Sequence, residues 1–189
     1  MNILLTGSTG FLGFRTLERL VQLPNVEKIV ATGRNLQKYR EILHPKVKYI
    51  LGDLTDKVFV NTLMINIDIV INTASLSSPW GMEDAFYASN VITQKNMISS
   101  SKIEGVKQFI YISSPSIYYN GEDRVMVQEK DPLPAKFVNN YSKTKRDAEI
   151  LLENSNLDYI IIRPRAIIGR GDTVIMPRLI KAHSKGSLK

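Results

Sequence analysis

Residues 2–13 read NILLTGSTGFLG, and this stretch decides the fold. The apolar run 2–6 passes directly into Gly7-Ser8-Thr9-Gly10-Phe11-Leu12-Gly13 and then into a helix-like segment. A strand, a glycine loop and a helix in that order form a pyrophosphate cradle. Glycines let the backbone turn tightly and approach the phosphates, while the helix N-terminus offers free N–H groups and the positive end of its dipole. A glycine-rich turn with no ligand has the same local pattern. The context favours the ligand, because the loop sits at the first strand-to-helix turn of a chain that alternates the two elements.

Outward from the loop, further strand-like runs are KIVAT (28–32), VKYIL (47–51), DIVINT (68–73), QFIYIS (108–113) and DYIIIR (158–163). Most are apolar throughout rather than alternating, which is the pattern of strands buried on both faces of a parallel sheet. Helix-like segments occupy 11–23, 35–42, 82–101 and 140–154, with one further helix after the sixth strand. The β-α-β-α order predicts an α/β, Rossmann-type, doubly wound parallel sheet, in one dinucleotide-binding domain over 1–189. Residues 119–139 form a long polar connection with Pro132 and Pro134. Long loops of this kind often lie over a site.

Composition narrows the function classes. The 189 residues, 43% of them hydrophobic, suffice for one good core. No cysteine is present, so disulfides and thiolate chemistry are excluded. His44 and His183 lie far apart with no ligand spacing around them, so no metal site is expected. The net charge of +7 suits acidic ligands such as phosphates. The basic residues are scattered, with no run of five or more, and nucleic acid is not expected. The start MNILLTGSTG lacks a basic leader region, and no stretch reaches the length of a membrane span. A cytoplasmic enzyme acting on a small molecule is the expectation.

Two local patterns suggest chemistry. The second strand run ends in Ala31-Thr32-Gly33-Arg34-Asn35, about where an NAD-binding chain places an acidic residue for the ribose. Arg34 stands there instead, and an arginine suits the extra phosphate of NADP. NADP is therefore expected over NAD, unless Arg34 is a solvated loop residue. In NNYSKTKRDAEILL (139–152), Tyr141 and Lys145 are four apart and share one helix face. A charged surface helix has that spacing too. As an acid–base pair, the ammonium is expected to lower the pKa of the phenol, which is about 10 when free.

With Thr6 ahead of it, the glycine loop matches T-G-x-x-G-x-x-G, and the chain resembles the short-chain dehydrogenase/reductase superfamily in its extended form. That group holds sugar-nucleotide epimerases, dehydratases and 3-beta-hydroxysteroid dehydrogenases. Gly52-Asp53-Leu54-Thr55-Asp56 resembles its G-D-L-x-D, and the resemblance implies that Asp53 and Leu54 meet the adenine. Asn72-Thr73-Ala74-Ser75 resembles the small-residue stretch that lies close to the cofactor. Asn90-Val91 matches the start of N-V-x-G-T, but Thr93 and Gln94 depart from it. Ser113-Ser114, followed by Ile117-Tyr118, resembles the catalytic hydroxyl motif and implies Ser114. Tyr141 to Lys145 is the Y-x-x-x-K. Arg163-Pro164-Arg165-Ala166-Ile167-Ile168-Gly169 resembles R-P-x-x-x-x-G, whose backbone at Pro164 would border the nicotinamide.

The resemblance implies Tyr141 as general acid/base, Lys145 on the nicotinamide ribose, and Ser114 polarising the substrate oxygen. Ser75-Leu76-Ser77-Ser78-Pro79-Trp80-Gly81 and Ser114-Pro115-Ser116-Ile117-Tyr118 look most like the 3-beta-hydroxysteroid dehydrogenase branch. Its bacterial relatives include reductases of 2-alkyl-3-oxoalkanoic acids. An apolar substrate carrying one carbonyl is implied, with Trp80 and Ser116 as candidate substrate contacts. Trp80 as a half-buried packing residue is the alternative. A dehydratase of this scaffold has an Asp-Glu pair after the catalytic hydroxyl, where this chain has Pro115-Ser116. An epimerase that retains NAD and a non-catalytic NADP-binding sensor are the other readings.

The family further implies a homodimer in which the 82–101 and 140–154 helices form a four-helix bundle. Phe86, Met97 and Ile150 would serve equally as intramolecular core. Extended members also carry a substrate-binding lobe and usually a seventh strand, which this chain is expected largely to lack. An apolar surface near 165–189 is the expected result.

Overall fold

The computed structural model describes residues 1–35, 41–78 and 80–187. Six strands form one sheet: β1 (Asn2–Thr6), β2 (Lys28–Thr32), β3 (Val47–Tyr49), β4 (Ile69–Asn72), β5 (Gln108–Ile112) and β6 (Tyr159–Ile162). Their order is β3-β2-β1-β4-β5-β6, and every pairing is parallel. The chain winds outward in opposite directions from β1 and β4. Their carboxyl ends, Thr6 beside Asn72, therefore border the crevice where such sheets bind ligands.

The uniform apolar character of the strands has a direct cause. Successive side chains of a strand point to opposite faces. On β1, Ile3 and Leu5 enter one core with Leu17 and Leu20 of α1 (Phe11–Leu20). Leu4 enters the other, with Val70, Phe109, Met97, Ala148 and Leu152. Both faces are covered, so both sets must be apolar.

The remaining helices are α2 (Lys57–Met64), α3 (Glu83–Phe86), α4 (Thr93–Ile103), α5 (Asn140–Glu153) and α6 (Ile175–Ser184). α2 is not among the helices expected from the sequence, although its start is marked: the Asp56 carboxylate accepts from Val58 N at 2.8 Å and Phe59 N at 3.2 Å. The helix expected at 35–42 lies largely outside the described residues. The segment expected as one helix over 82–101 is interrupted: a π-helical turn (Tyr87–Ile92) joins α3 to α4. Short 3-10 structure (Pro115–Tyr118) follows β5.

This interrupted helix packs against α5 within the molecule. Phe86 and Met97 are buried there, whereas Ile150 is exposed. The last elements are different. β6 is an edge strand with Ile160 and Ile162 exposed, and α6 has no buried residue. The start of α6 is held by Asp172, whose carboxylate accepts from the backbone N–H groups of Val174, Ile175 and Met176. Among the described residues, no helix is long and apolar enough to cross a membrane.

Candidate active site

The glycine loop is shaped by close approach. Gly7 has φ +65°, a left-handed conformation that favours glycine, and a Cβ there would lie 2.7 Å from Thr73 Oγ1. A Cβ at Gly13 would lie 2.1 Å from the Gly7 carbonyl oxygen, so α1 presses directly against the loop. Gly10 precedes α1, and among the described residues no side chain caps that helix. Its first-turn N–H groups are thus left for an acceptor other than a capping side chain.

A cleft of about 430 Å³ opens beside this loop. Among the sequence candidates, Gly7, Thr9, Gly10, Arg34, Asp53, Leu54, Thr73, Ala74 and Ser75 line it. Ala85, Ala88, Ser89 and Thr93 line it too, and the sequence reading missed them. They come from α3, the π-helical turn and the first residue of α4. Asp53 Oδ1 accepts from Thr55 N at 2.9 Å, and this bond holds the carboxyl below its usual range, helped by the charge of Arg34.

Phe11, Leu12, Gly13, Asn90, Tyr141, Lys145 and Pro164 are not on the cleft wall. The Phe11 ring lies under the segment after β6, where a Cβ on Gly171 would meet it at 3.6 Å. Asn90, on the π-helical turn, is buried and its amide is engaged by protein. Its Oδ1 accepts from Leu76 N at 2.8 Å and Ser75 Oγ at 3.2 Å, and its Nδ2 donates to Thr144 Oγ1 at 3.0 Å. Asn90 thereby ties the loop after β4 to α5. Asn72 and Gln94 make a second buried link: Thr6 Oγ1 donates to Asn72 Oδ1 at 2.5 Å, and Asn72 Nδ2 to Gln94 Oε1 at 2.7 Å.

The three proposed catalytic side chains come from the carboxyl end of β5 and the first turns of α5. Ser114 Oγ accepts from Ser116 N at 3.2 Å, which opens the 3-10 turn. The Ser116 hydroxyl is enclosed and has no partner among the described residues. Asn139 starts α5 by accepting from Ser142 N at 2.8 Å. That places Tyr141 on the first turn, where Ser114 is its neighbour.

Burial raises the pKa of Tyr141, and the neighbouring Ser114 side chain only partly opposes this. The expected lowering by Lys145 is therefore corrected. The Lys145 ammonium donates to the Ile112 carbonyl at 2.6 Å and lies 4.3 Å from the centre of the Tyr111 ring. Lys145 is itself only 1% exposed. Desolvation brings its pKa down to about 7, while Glu149 works upward.

Beside these residues is a charged network that no local sequence pattern announces in full. Glu149 is fully buried and accepts a fork from Arg163, Nε at 2.8 Å and Nη2 at 2.9 Å, and a third bond from Arg146 at 3.0 Å. Arg163 Nη1 also donates to Tyr118 Oη at 2.6 Å. The available signal was the i,i+4 spacing of Lys145 and Glu149, which places both on one helix face. Trp80 is 83% exposed and so is not the half-buried packing residue offered as the alternative. The adjacent Gly81 carbonyl accepts from Asn140 Nδ2 at 3.3 Å, so its loop meets the start of α5.

Comparison with known proteins agrees with this architecture. The chain is 30% identical over 194 residues to a 2-alkyl-3-oxoalkanoate reductase of Shewanella oneidensis, covering 97% of this chain and 49% of that protein. It is 30% identical over 200 residues to a decarboxylating sterol-4-alpha-carboxylate 3-dehydrogenase of Candida albicans, covering 100% of this chain and 57% of that protein. The chain thus spans about half the length of the curated relatives it matches. Among solved structures, the Bordetella bronchiseptica enzyme WbmH in complex with NAD+ superposes with a TM-score of 0.86 at 21% identity, over 98% of this chain and 62% of that one. A UDP-glucuronic acid 4-epimerase from Bacillus cereus gives 0.83 at 22% identity, over 98% and 63%. These two likenesses establish the fold. The model of the 3-beta hydroxysteroid dehydrogenase/isomerase family matches residues 4–189, and the chain belongs to that family.

Proposed function

We propose that the protein is an NADP-dependent oxidoreductase that interconverts a carbonyl and a secondary alcohol on an apolar substrate of the 3-oxoacyl or sterol type. The carrying observation is the placement of Tyr141 against Ser114, with Lys145 buried on the same helix. In a parallel sheet the carboxyl ends lie along one edge, so this group shares an edge with the glycine-loop cleft.

The lining of the cleft suits the adenosine and pyrophosphate part of a dinucleotide. The close-packed glycines and the uncapped α1 N-terminus offer backbone N–H groups to a pyrophosphate. Asp53 and Leu54 would hold the adenosine end, and Arg34 a ribose phosphate. A nicotinamide cofactor supplies hydride chemistry when bound. The chain's own work is proton transfer and orientation. Tyr141, kept protonated by its burial, would give its proton to the substrate oxygen. Ser114 would hydrogen-bond the same oxygen, and Lys145 would hold the nicotinamide ribose. The relatives named for 3-oxoalkanoate and sterol substrates support an apolar carbonyl compound.

Titration with NADPH and separately with NADH, followed by nicotinamide fluorescence, tests the cofactor. NADPH should bind tightly and NADH weakly; equal affinities would overturn the NADP assignment. With a 2-alkyl-3-oxoalkanoate as substrate, Tyr141→Phe should lower turnover by roughly 10²–10⁴ with NADPH affinity retained. Full turnover in that variant would remove Tyr141 from the chemistry.

A further inference from the structure

Lys145 stands in an environment that disfavours its charge. Its side chain is shut off from water, and an ammonium without water needs compensation. The compensation on β5 is the Ile112 carbonyl and the face of the Tyr111 ring, both neutral. On its own helix, Tyr141 and Glu149 lie on the same side. Glu149 supplies the anion, and it is fully enclosed. Its own ionisation is maintained by Arg163, just after β6, and by Arg146 on α5.

We propose that Glu149 is a positioning residue of the active site: its carboxylate, held by the Arg163 fork one helical turn beyond Lys145, favours the charged form of the Lys145 side chain and orients it at the end of β5. The arrangement is a relay of alternating charge. Arg163 and Arg146 hold Glu149 as the anion, and Glu149 favours the cation on Lys145. The same fork fastens the end of β6, where Pro164 follows, to the helix that carries Tyr141. Glu149 touches neither substrate nor cofactor in this scheme. The inference rests on the proposed function only in giving Lys145 a catalytic task.

The test reads Lys145 directly, without cofactor or substrate, so its result is independent of the NADP assignment. The 13Cε and 15Nζ shifts of Lys145, assigned with Lys145→Met, are followed by NMR from pH 5 to 9. The wild-type midpoint should fall at about 7. Glu149→Gln should lower it by roughly one pH unit or more, the effect of losing a close opposite charge. Glu149→Asp should return the midpoint toward wild type, which a purely space-filling role would not do. Should Glu149→Gln fail to fold, the double variant Glu149→Leu/Arg163→Met removes the charged pair while filling its volume. A lowered midpoint there supports the proposal. An unchanged midpoint in either folded variant overturns it.

Discussion

β1 and β6 are apolar strands of the same parallel sheet, yet they end in opposite environments. In β1, Ile3, Leu4, Leu5 and Thr6 are all buried, because helices cover both faces and strands flank both edges. In β6, Tyr159, Ile160 and Ile162 are exposed, one edge is unpaired, and the following α6 buries none of its residues. The cofactor side is therefore held by close packing of backbone and apolar side chains. The β6 side is held by its ladder to β5, by Ile161 against the core and by the Arg163–Glu149 fork. Apolar composition does not by itself secure a strand; its place in the sheet does.

That contrast can be broken from either side. Arg163→Ala should have the largest effect, about 3–5 kcal/mol in urea denaturation, because it takes from the buried Glu149 carboxylate the guanidinium that holds both of its oxygens. A loss under 1 kcal/mol would mean that the fork does not secure β6. Gly13→Ala acts on the other region. Its Cβ would strike the Gly7 carbonyl, so a loss near 3 kcal/mol and weakened NADPH binding are expected. Normal binding in that variant would show that α1 can shift without disturbing the cradle.

Lys145 gives an effect that depends on pH. The unfolded lysine keeps its proton to about 10.5, but the folded one only to about 7. Between those values the unfolded state binds more protons, so stability should rise with pH by up to about 1.4 kcal/mol per unit relative to Lys145→Met. Parallel stability curves for the two proteins from pH 7 to 10 would show that Lys145 remains charged. The smallest effect belongs to α6. Leu179→Ser should change stability by no more than about 0.5 kcal/mol, since the residue is 41% exposed. A loss above 1.5 kcal/mol would place α6 against a surface the contrast denies it.

Much of this architecture was legible locally. The apolar strands and the glycine loop carry short-range signals, and the six strand positions agree with the structure to within one or two residues at their ends. The α2 helix was legible as well, through the Asp56 cap, but its short apolar face was passed over. The π-helical turn had no local signal, since Tyr87–Ile92 reads as ordinary helix. It turns Asn90 inward to Ser75, Leu76 and Thr144, partners that are far away in sequence.

The sequence alone determined the strand–loop–helix cradle, the parallel sheet and the residues able to do acid–base chemistry. These follow from periodicity, glycine and side-chain type, all of which act over a few residues. Only the tertiary structure decided what those residues experience. Tyr141 is pushed up rather than down, because burial outweighs its neighbours. Lys145 faces a carbonyl and a ring, and its help comes from a glutamate held by an arginine just after β6. Desolvation and charge pairing depend on which elements cross, and helical spacing fixes only one side of that meeting.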